Sequence, residues 1–170
     1  MDHSASVAAI GTLADRILAP LAGRSDADWA HASEGRWSPG QIVNHLALAI
    51  DLSGKGFASR IDKPPMRRRP ATPAELAARL LVLRLGWFPV RRRAPATTTP
   101  EPQPDRTATE RLLREAVARF AGAADTLLPS RAHDLFLKHP VLGDLNYPEW
   151  CRFHERHAAH HLKQLRSRLP

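Results

Sequence analysis

Residues 147–166 read YPEWCRFHERHAAHHLKQLR, and this stretch decides the fold because it combines a strong helix signal with four of the nine histidines. Pro148 suits the first turn of a helix, and the alanines and leucines that follow favour helical backbone. The sequence therefore predicts one helix from Tyr147 to about Leu169.

One face of this predicted helix carries a row of polar rings. At about 100° per residue, Trp150, His157, His161 and Gln164 fall on a single stripe. A helix that buries an aromatic row normally continues it with Leu or Val, and polar groups there cost free energy unless a partner satisfies them. Beside the stripe lie Phe153, His154 and His160.

A metal ion is one such partner. His157 and His161 are four residues apart, so their rings lie one above the other and can offer two nitrogen ligands to one ion. The alternative is a histidine cluster on the surface or between helices, and the pair alone favours this alternative. A third histidine elsewhere in the sequence shifts the balance towards a metal site.

That third histidine, His45, lies on another predicted helix. Ser38, Pro39 and Gln41 supply an N-cap, a first-turn proline and the reciprocal capping residue, so this helix is predicted to run to about Arg60. A lone histidine on an apolar face is more often a satisfied core residue than a ligand, but His45 is accompanied by the two inward histidines of the last helix. Its predicted inner line also holds Ile42, Ala49, Leu52 and Gly56.

Two further amphipathic helices complete an all-α prediction, a single four-helix-bundle domain over residues 1–170. One spans residues 4–21 with Ser4 or Ser6 as its cap, and the other spans residues 107–128. Residues 23–35 are predicted as a loop with room for one helical turn, and residues 136–146 as a loop with Gly143 as its turn residue. The predicted buried line of the first of these helices is Ile10, Leu13, Ile17 and Leu21. That of the second is Leu113, Val117, Phe120, Ala124 and Leu127.

Residues 63–105 differ in character, since they hold nine of the fifteen prolines and both arginine triplets, at 67–69 and 91–93. A short helix is predicted from Thr72 to Gly86, with Leu76, Leu80 and Leu83 on one face. This insert could dock on an anionic membrane through its arginines, or serve as a crossover that covers one end of the bundle; long connections in bundles favour the second. Residues 97–104 are predicted to be extended and mobile.

The charge and composition limit the classes of molecule that the protein is expected to bind. The net charge of +8 and pI near 10.9 are compatible with a nucleic acid or an anionic membrane. However, the arginines are scattered outside the two triplets and aromatic residues make up only 6%, which disfavours base stacking and points to a compositional bias towards Ala, Arg and Pro. The N-terminal residues lack a secretory signal pattern, and the single cysteine, Cys151, excludes an internal disulfide, so a cytoplasmic protein is expected.

In a bundle, His45 can face His157 and His161 across the core. Three neutral imidazoles leave a coordination position open on Zn²⁺, Ni²⁺ or Fe²⁺, where a bound water or thiol could be activated. Gln164 and Asn44 are candidates to support the ligands or contact a substrate, or else they satisfy hydrogen bonds within the bundle. Glu149 and Asp144 are interpreted as capping or solvated residues, which leaves no general base assigned.

The segments Trp37-Ser-Pro-Gly-Gln-Ile-Val-Asn-His45-Leu, His139-Pro-Val-Leu-Gly143, Glu149-Trp150 and His157-Ala-Ala-His-His161-Leu-Lys-Gln164 resemble the DinB/YfiT-like superfamily of bacterial metal-binding four-helix bundles. The resemblance is weakest over residues 63–105. It implies an up-down-down-up bundle with a divalent metal on His45, His157 and His161. His160, His139 and Trp150 belong to the same signatures and are further candidates near the site.

The resemblance also implies a reaction class, because relatives include S-transferases and isomerases that depend on a low-molecular-weight thiol. We therefore expect a metal-dependent transferase or hydrolase that acts on a small electrophilic substrate, with such a thiol as a further cofactor. The alternative is a non-catalytic metal-binding or small-molecule-binding bundle. Binding of nucleic acid or a membrane surface through the arginine triplets is disfavoured, and a homodimer is left open.

Overall fold

The computed structural model describes residues 8–89 and 94–169, and this part of the chain is mostly helical. Its α-helices are α1 (Leu13–Leu18), α2 (Asp26–Ala30), α3 (Pro39–Ala58), α4 (Pro73–Arg79), α5 (Arg106–Leu127) and α6 (Tyr147–Arg166). Strands β1 (Leu137–His139) and β2 (Gly143–Leu145) form one antiparallel hairpin. Within the described ranges, none of the helices combines the length and apolar character needed to cross a membrane.

The three long helices begin within one residue of their predicted starts, and side chains cap their first backbone N–H groups. The side chains of Ser38 and Asn146 each accept a hydrogen bond from the backbone N–H of the third helical residue. In turn, the side chains of Gln41 and Glu149 accept a hydrogen bond from the backbone N–H of the cap residue. Asp105 caps α5 through the N–H of Ala108. Glu149 is therefore a capping residue, as the sequence indicated.

The first predicted helix is broken within the described residues. Residues 8–11 are helical, Thr12 forms a turn, α1 follows, and residues 19–21 close it with a tighter 3₁₀ turn that contains Pro20. The caps predicted at Ser4 and Ser6 lie outside the described residues. The apolar line is nevertheless correct, since all four of its members are almost completely buried: Ile10, Leu13, Ile17 and Leu21.

Contacts between side chains give the directions of the helices. Asn44 lies 3.5 Å from Thr109, and Asp51 pairs with Arg119 further along both helices, so α3 and α5 run parallel. Helix α6 runs antiparallel to α3, because His45 near the start of α3 meets His157 while Ser53 meets His154.

Helix α1 runs antiparallel to α5. Arg114 in α5 binds Asp15 at 2.6 Å, whereas Arg106 at the start of α5 binds the carbonyl oxygen of Leu21 beyond the end of α1. The apolar faces of these four helices share one hydrophobic core. The parallel pair α3 and α5 explains the long connection between them, since parallel helices cannot be joined by a short turn.

Leu52 does not lie on the inner line of α3. Its exposed fraction is 52%, whereas Leu46, Ile50 and Phe57 are at most 1% exposed. The prediction was wrong because α3 packs against several elements at once, so its buried arc is wide and is centred away from Leu52.

The crossover between α3 and α5 contains helix α4 followed by a π-helical turn over residues 80–84, with Gly86 at a positive φ of 65°. The predicted apolar face is only partly covered: Leu83 is buried, but Leu76 and Leu80 are more than half exposed. The second arginine triplet lies outside the described residues. In the first triplet, Arg68 donates to the carbonyl oxygen of His133 and Arg69 pairs with Glu75.

Residues 97–104, predicted to be extended and mobile, are instead fixed against α3. Ala96–Thr98 forms a 3₁₀ turn, and the Thr98 side chain is buried. The indole of Trp29 donates to the carbonyl oxygen of Pro104 at 2.9 Å, and Asn44 accepts from the N–H of Glu101. The backbone of this proline-rich segment therefore has a defined conformation, and the segment is not a mobile linker.

The loop predicted at 136–146 is a short hairpin, in which Leu137 pairs with Leu145 and His139 with Gly143. The imidazole Nδ1 of His139 accepts hydrogen bonds from the N–H groups of Val141 and Leu142, which closes the turn. Gly143 is required because its φ is +71° and a Cβ there would lie 2.6 Å from a Glu75 carboxylate oxygen. The alternation of residues is too short for a strand signal, so sequence alone did not find it.

Candidate metal centre

His45 reaches the interior from the second turn of α3, and it is 5% exposed. The 3₁₀ turn of the crossover places the carbonyl oxygen of Thr98 2.6 Å from His45 Nδ1. The other ring nitrogen, Nε2, points across the interhelical space and lies 3.2 Å from Nε2 of His157.

His157 and His161 come from successive turns of α6 and are each 8% exposed. Their Nε2 atoms are 3.1 Å apart. His161 Nδ1 lies 2.9 Å from the amide oxygen of Gln164, and the amide nitrogen of Gln164 lies 3.0 Å from Nε2 of His160. Three Nε2 atoms therefore converge on one point, with donor atoms of the three residues all within 4.8 Å of one another.

The partners of the outer nitrogens determine where the protons are. A carbonyl oxygen only accepts, so His45 Nδ1 carries its proton and a neutral His45 presents a lone pair at Nε2. Gln164 fixes His161 in the same way, because its amide oxygen faces His161 and its NH₂ donates to His160. Both rings therefore offer lone pairs towards His157.

The two contacts between Nε2 atoms cannot both be hydrogen bonds. His157 Nε2 can carry at most one proton, so it can donate to His45 or to His161 but not to both. One of the two close nitrogen contacts would then join two lone pairs, which repel. A cation at the centre removes the conflict, and nitrogens about 2.0–2.1 Å from one ion are themselves roughly 3 to 3.5 Å apart.

Burial keeps the imidazoles neutral. It lowers the pKa of His161 to about 3, and the pKa of His157 falls well below its usual value for the same reason, with a further contribution from the neighbouring rings. Burial also lowers the pKa of His45, although the bond to Thr98 acts in the opposite direction. Neutral nitrogens are the form that binds a metal, so the donor set fits a divalent ion.

A family model described as "Protein of unknown function (DUF1569)" matches residues 25–168. The chain belongs to this family. The match begins at the cap of α2 and includes all three histidines of the cluster. No curated protein and no solved structure matches the chain.

Aromatic rings that sequence analysis did not assign to the site surround the cluster in this DUF1569 protein. Trp37 lies 4.9 Å from the His45 ring and 6.2 Å from the His161 ring, measured between centroids. Phe88 of the crossover lies 5.5 Å from His157 and 5.0 Å from His160. Trp37 could have been predicted to lie near the site, because it belongs to the same sequence segment as His45. Phe88 and Thr98 could not, because only the fold of the crossover brings them there.

His154 occupies a second polar position in the core, one turn before His157. It is 1% exposed, and its Nε2 lies 2.7 Å from the hydroxyl oxygen of Ser53, while its Nδ1 has no hydrogen-bond partner among the described residues. The same holds for the buried Nδ1 of His157. The sequence placed His154 beside the histidine stripe, but Ser53 carried no signal of its own.

The remaining candidates have other contacts. Asn44 binds the N–H of Glu101 and lies near Thr109, so it anchors the crossover. His139 closes the hairpin turn and packs on Trp150 and Phe153, and the Trp150 indole donates to the carbonyl oxygen of Leu137. His160, by contrast, is joined to the cluster through Gln164.

Asp144 is buried and contributes to the packing of the DUF1569 hairpin. Its carboxylate accepts from the backbone N–H of Arg69 and lies 3.5 Å from Lys138.

Cys151 is also buried, and burial raises the pKa of its thiol to about 12. A thiol with so high a pKa stays protonated and is not a nucleophile near neutral pH.

Proposed function

We propose that this protein is a divalent-metal-dependent enzyme whose metal is held by His45, His157 and His161. The observation that carries the proposal is the convergence of three Nε2 atoms with at most one proton among them. Zn²⁺, Ni²⁺ and Fe²⁺ all accept a set of neutral imidazoles.

We propose further that the helices form an up-down-down-up four-helix bundle of the DinB/YfiT-like type. The parallel pair α3 and α5 and the antiparallel pairs α1–α5 and α3–α6 support this order. The superfamily resemblance then supplies the reaction class, transfer or hydrolysis at a small electrophilic substrate.

In such a site the metal supplies Lewis acidity and an open position at which water or a thiol is acidified. The chain itself holds the ligands in one tautomer. The Thr98 carbonyl oxygen accepts the His45 Nδ1 proton and the Gln164 amide oxygen accepts the His161 Nδ1 proton, which orients both rings and raises their basicity.

His160 is the titratable group best placed to exchange a proton beside the metal. Because the Gln164 amide donates to its Nε2, a neutral His160 carries its proton on Nδ1. Burial lowers its pKa, assisted by the nearby charge of Lys163.

Trp37 and Phe88, both half-buried, flank the cluster and favour a substrate with an apolar body.

A nucleophilic thiol in this reaction would have to be a separate small molecule. Cys151 is buried with a raised pKa and is not grouped with the three histidines. This requirement agrees with a low-molecular-weight thiol cofactor and with a cytoplasmic location, where such thiols stay reduced. A homodimer is compatible with the proposal but is not needed for the site.

A non-catalytic metal-binding or small-molecule-binding bundle is the second candidate. It is favoured by one observation: within the described residues, the metal-ligating group contains histidines only, without an Asp, Glu or Cys to act as an acid or base. Turnover distinguishes the enzyme from a metal-binding module, because both of these need the three histidines.

The metal is tested by elemental mass spectrometry on untagged protein purified without added metal or chelator. We expect near-stoichiometric metal in the wild type, and a loss of most of it in His45→Ala and His157→Ala. His31→Ala is the matched control, since His31 is exposed and does not belong to the group of three histidines. Full metal content in His157→Ala would refute the ligand assignment.

The enzyme is tested by supplying thiols together with electrophilic substrates and comparing the wild type with His157→Ala. Metal-dependent conversion that is lost in the variant supports the enzyme. Stoichiometric metal without turnover across thiols and electrophiles would favour the binding module.

A further inference from the structure

A cleft of about 510 Å³ opens on the side of α6 opposite the histidine cluster. Its walls come from α1, from the π-helical turn of the crossover and from α6. It is lined by Arg16, Leu83, Arg84, Arg152, Glu155, Arg156 and Ala159, so four guanidinium groups face a single carboxylate.

One carboxylate can balance only one guanidinium charge, and Glu155 lies 4.0 Å from Arg16. A smaller cleft of about 280 Å³ shows the opposite pattern, because its Arg106 and Arg114 are paired with Glu110 and Asp15.

Two of the four arginines have exposed guanidinium groups that the fold does not use. No hydrogen bond or ion pair joins Arg84 or Arg156 to another of the described residues. The Arg156 side chain instead lies along the backbone at Gly86, where a Cβ would come within 3.3 Å of its Cδ. The turn at Gly86 thus leaves space for Arg156 beside the crossover.

From this arrangement we propose that the cleft binds a small multivalent oxyanion, with phosphate groups or clustered carboxylates. Guanidinium forks match both kinds of oxyanion with paired N–H donors. The volume suits a small molecule, and arginines on three separate elements can contact several oxygens of one ligand. Like charges held together in a cleft repel, and an anion relieves that repulsion.

The test is isothermal titration calorimetry at low ionic strength on the protein as purified. Fructose 1,6-bisphosphate represents phosphate ligands and tricarballylate represents carboxylates. We expect saturable binding of at least one of them, weakened about tenfold or more by Arg84→Gln and by Arg156→Gln, since each removes charge-assisted hydrogen bonds.

Two controls separate this site from other causes. Arg111→Gln removes the same charge from an exposed position on α5 outside the cleft, and it should leave the affinity within about twofold. His157→Ala should also retain binding, because the histidine cluster lies across α6. Unchanged thermal melting would show that each variant is folded.

Several results would overturn the proposal. These are no binding of either probe, equal weakening by Arg111→Gln, or loss of binding in His157→Ala, which would place the anion on the metal. Binding of an oligonucleotide but of neither small anion would also overturn it, because the surface would then recognise a nucleic acid.

Discussion

Gln164 connects two histidines through one amide. Its oxygen accepts from His161 Nδ1 and its nitrogen donates to His160 Nε2, so it fixes the tautomers of both rings. Gln164 continues the histidine stripe at helical spacing, and this position makes it a candidate partner of the ligands from the sequence alone. Its actual hydrogen bonds lie within one helix, and this is why local sequence could anticipate them.

Replacing Gln164 tests this arrangement at the scale of a single residue. We expect Gln164→Leu to weaken metal binding about 10–100-fold, because His161 loses the acceptor that orients it. Gln164→Glu keeps an acceptor for the His161 Nδ1 proton, so its metal affinity should stay within about tenfold of the wild-type affinity. Competition with a chromophoric chelator measures both, and equal affinities for the Leu variant and the wild type would contradict the role of Gln164.

Helices α2 and α3 depend on a close approach at Gly40. A Cβ there would lie within 2.8 Å of the indole Cδ1 of Trp29 and closer still to two other indole atoms. Trp29 cannot move easily, because its Nε1 donates to the Pro104 carbonyl oxygen and Arg106 lies over its ring.

The corresponding prediction compares two glycines in helices. Gly40→Ala should lower the free energy of unfolding by about 1–3 kcal/mol or more, because it overpacks Trp29. Gly122→Ala should raise it by about 0.5–1 kcal/mol, since a Cβ at Gly122 meets nothing within 4 Å and alanine favours helix. Urea unfolding gives both values, and a neutral Gly40→Ala would show that the contact is not tight.

At the scale of elements, caps and apolar periodicity predicted the long helices well, because both signals lie within a few residues of each other. The exposed faces were predicted less well. Leu52, Leu76 and Leu80 have the spacing of buried residues, yet each is more than half exposed. Periodicity identifies an apolar face but does not say which element covers it.

At the scale of the whole molecule, buried neutral histidines make the fold sensitive to acid. Burial lowers the pKa of His154 to about 3 and that of His139 to about 4. In the unfolded chain both return to about 6.5. Between pH 6.5 and the lowered values the unfolded state therefore binds more protons, and stability falls as the pH falls.

We expect each such histidine to remove up to about 1.4 kcal/mol of stability per pH unit below pH 6.5, and His154, which is 1% exposed, to approach that limit. Urea unfolding with a chelator present, from pH 8 to pH 5, measures the slope. His154→Gln should reduce the slope by about one proton. A flat profile, or a slope unchanged in the variant, would contradict the neutral burial of His154.

The sequence by itself determined the three long helices, the apolar lines of the first helical segment and of α5, and the three histidines that come together, because capping and periodicity are local. Only the tertiary structure decided that Thr98 fixes His45, that Phe88 covers His157 and that arginines of three elements line one cleft. His45 and His157 are 112 residues apart in the chain. Contacts over such separations depend on the directions of the helices and the path of the crossover, which no local pattern specifies.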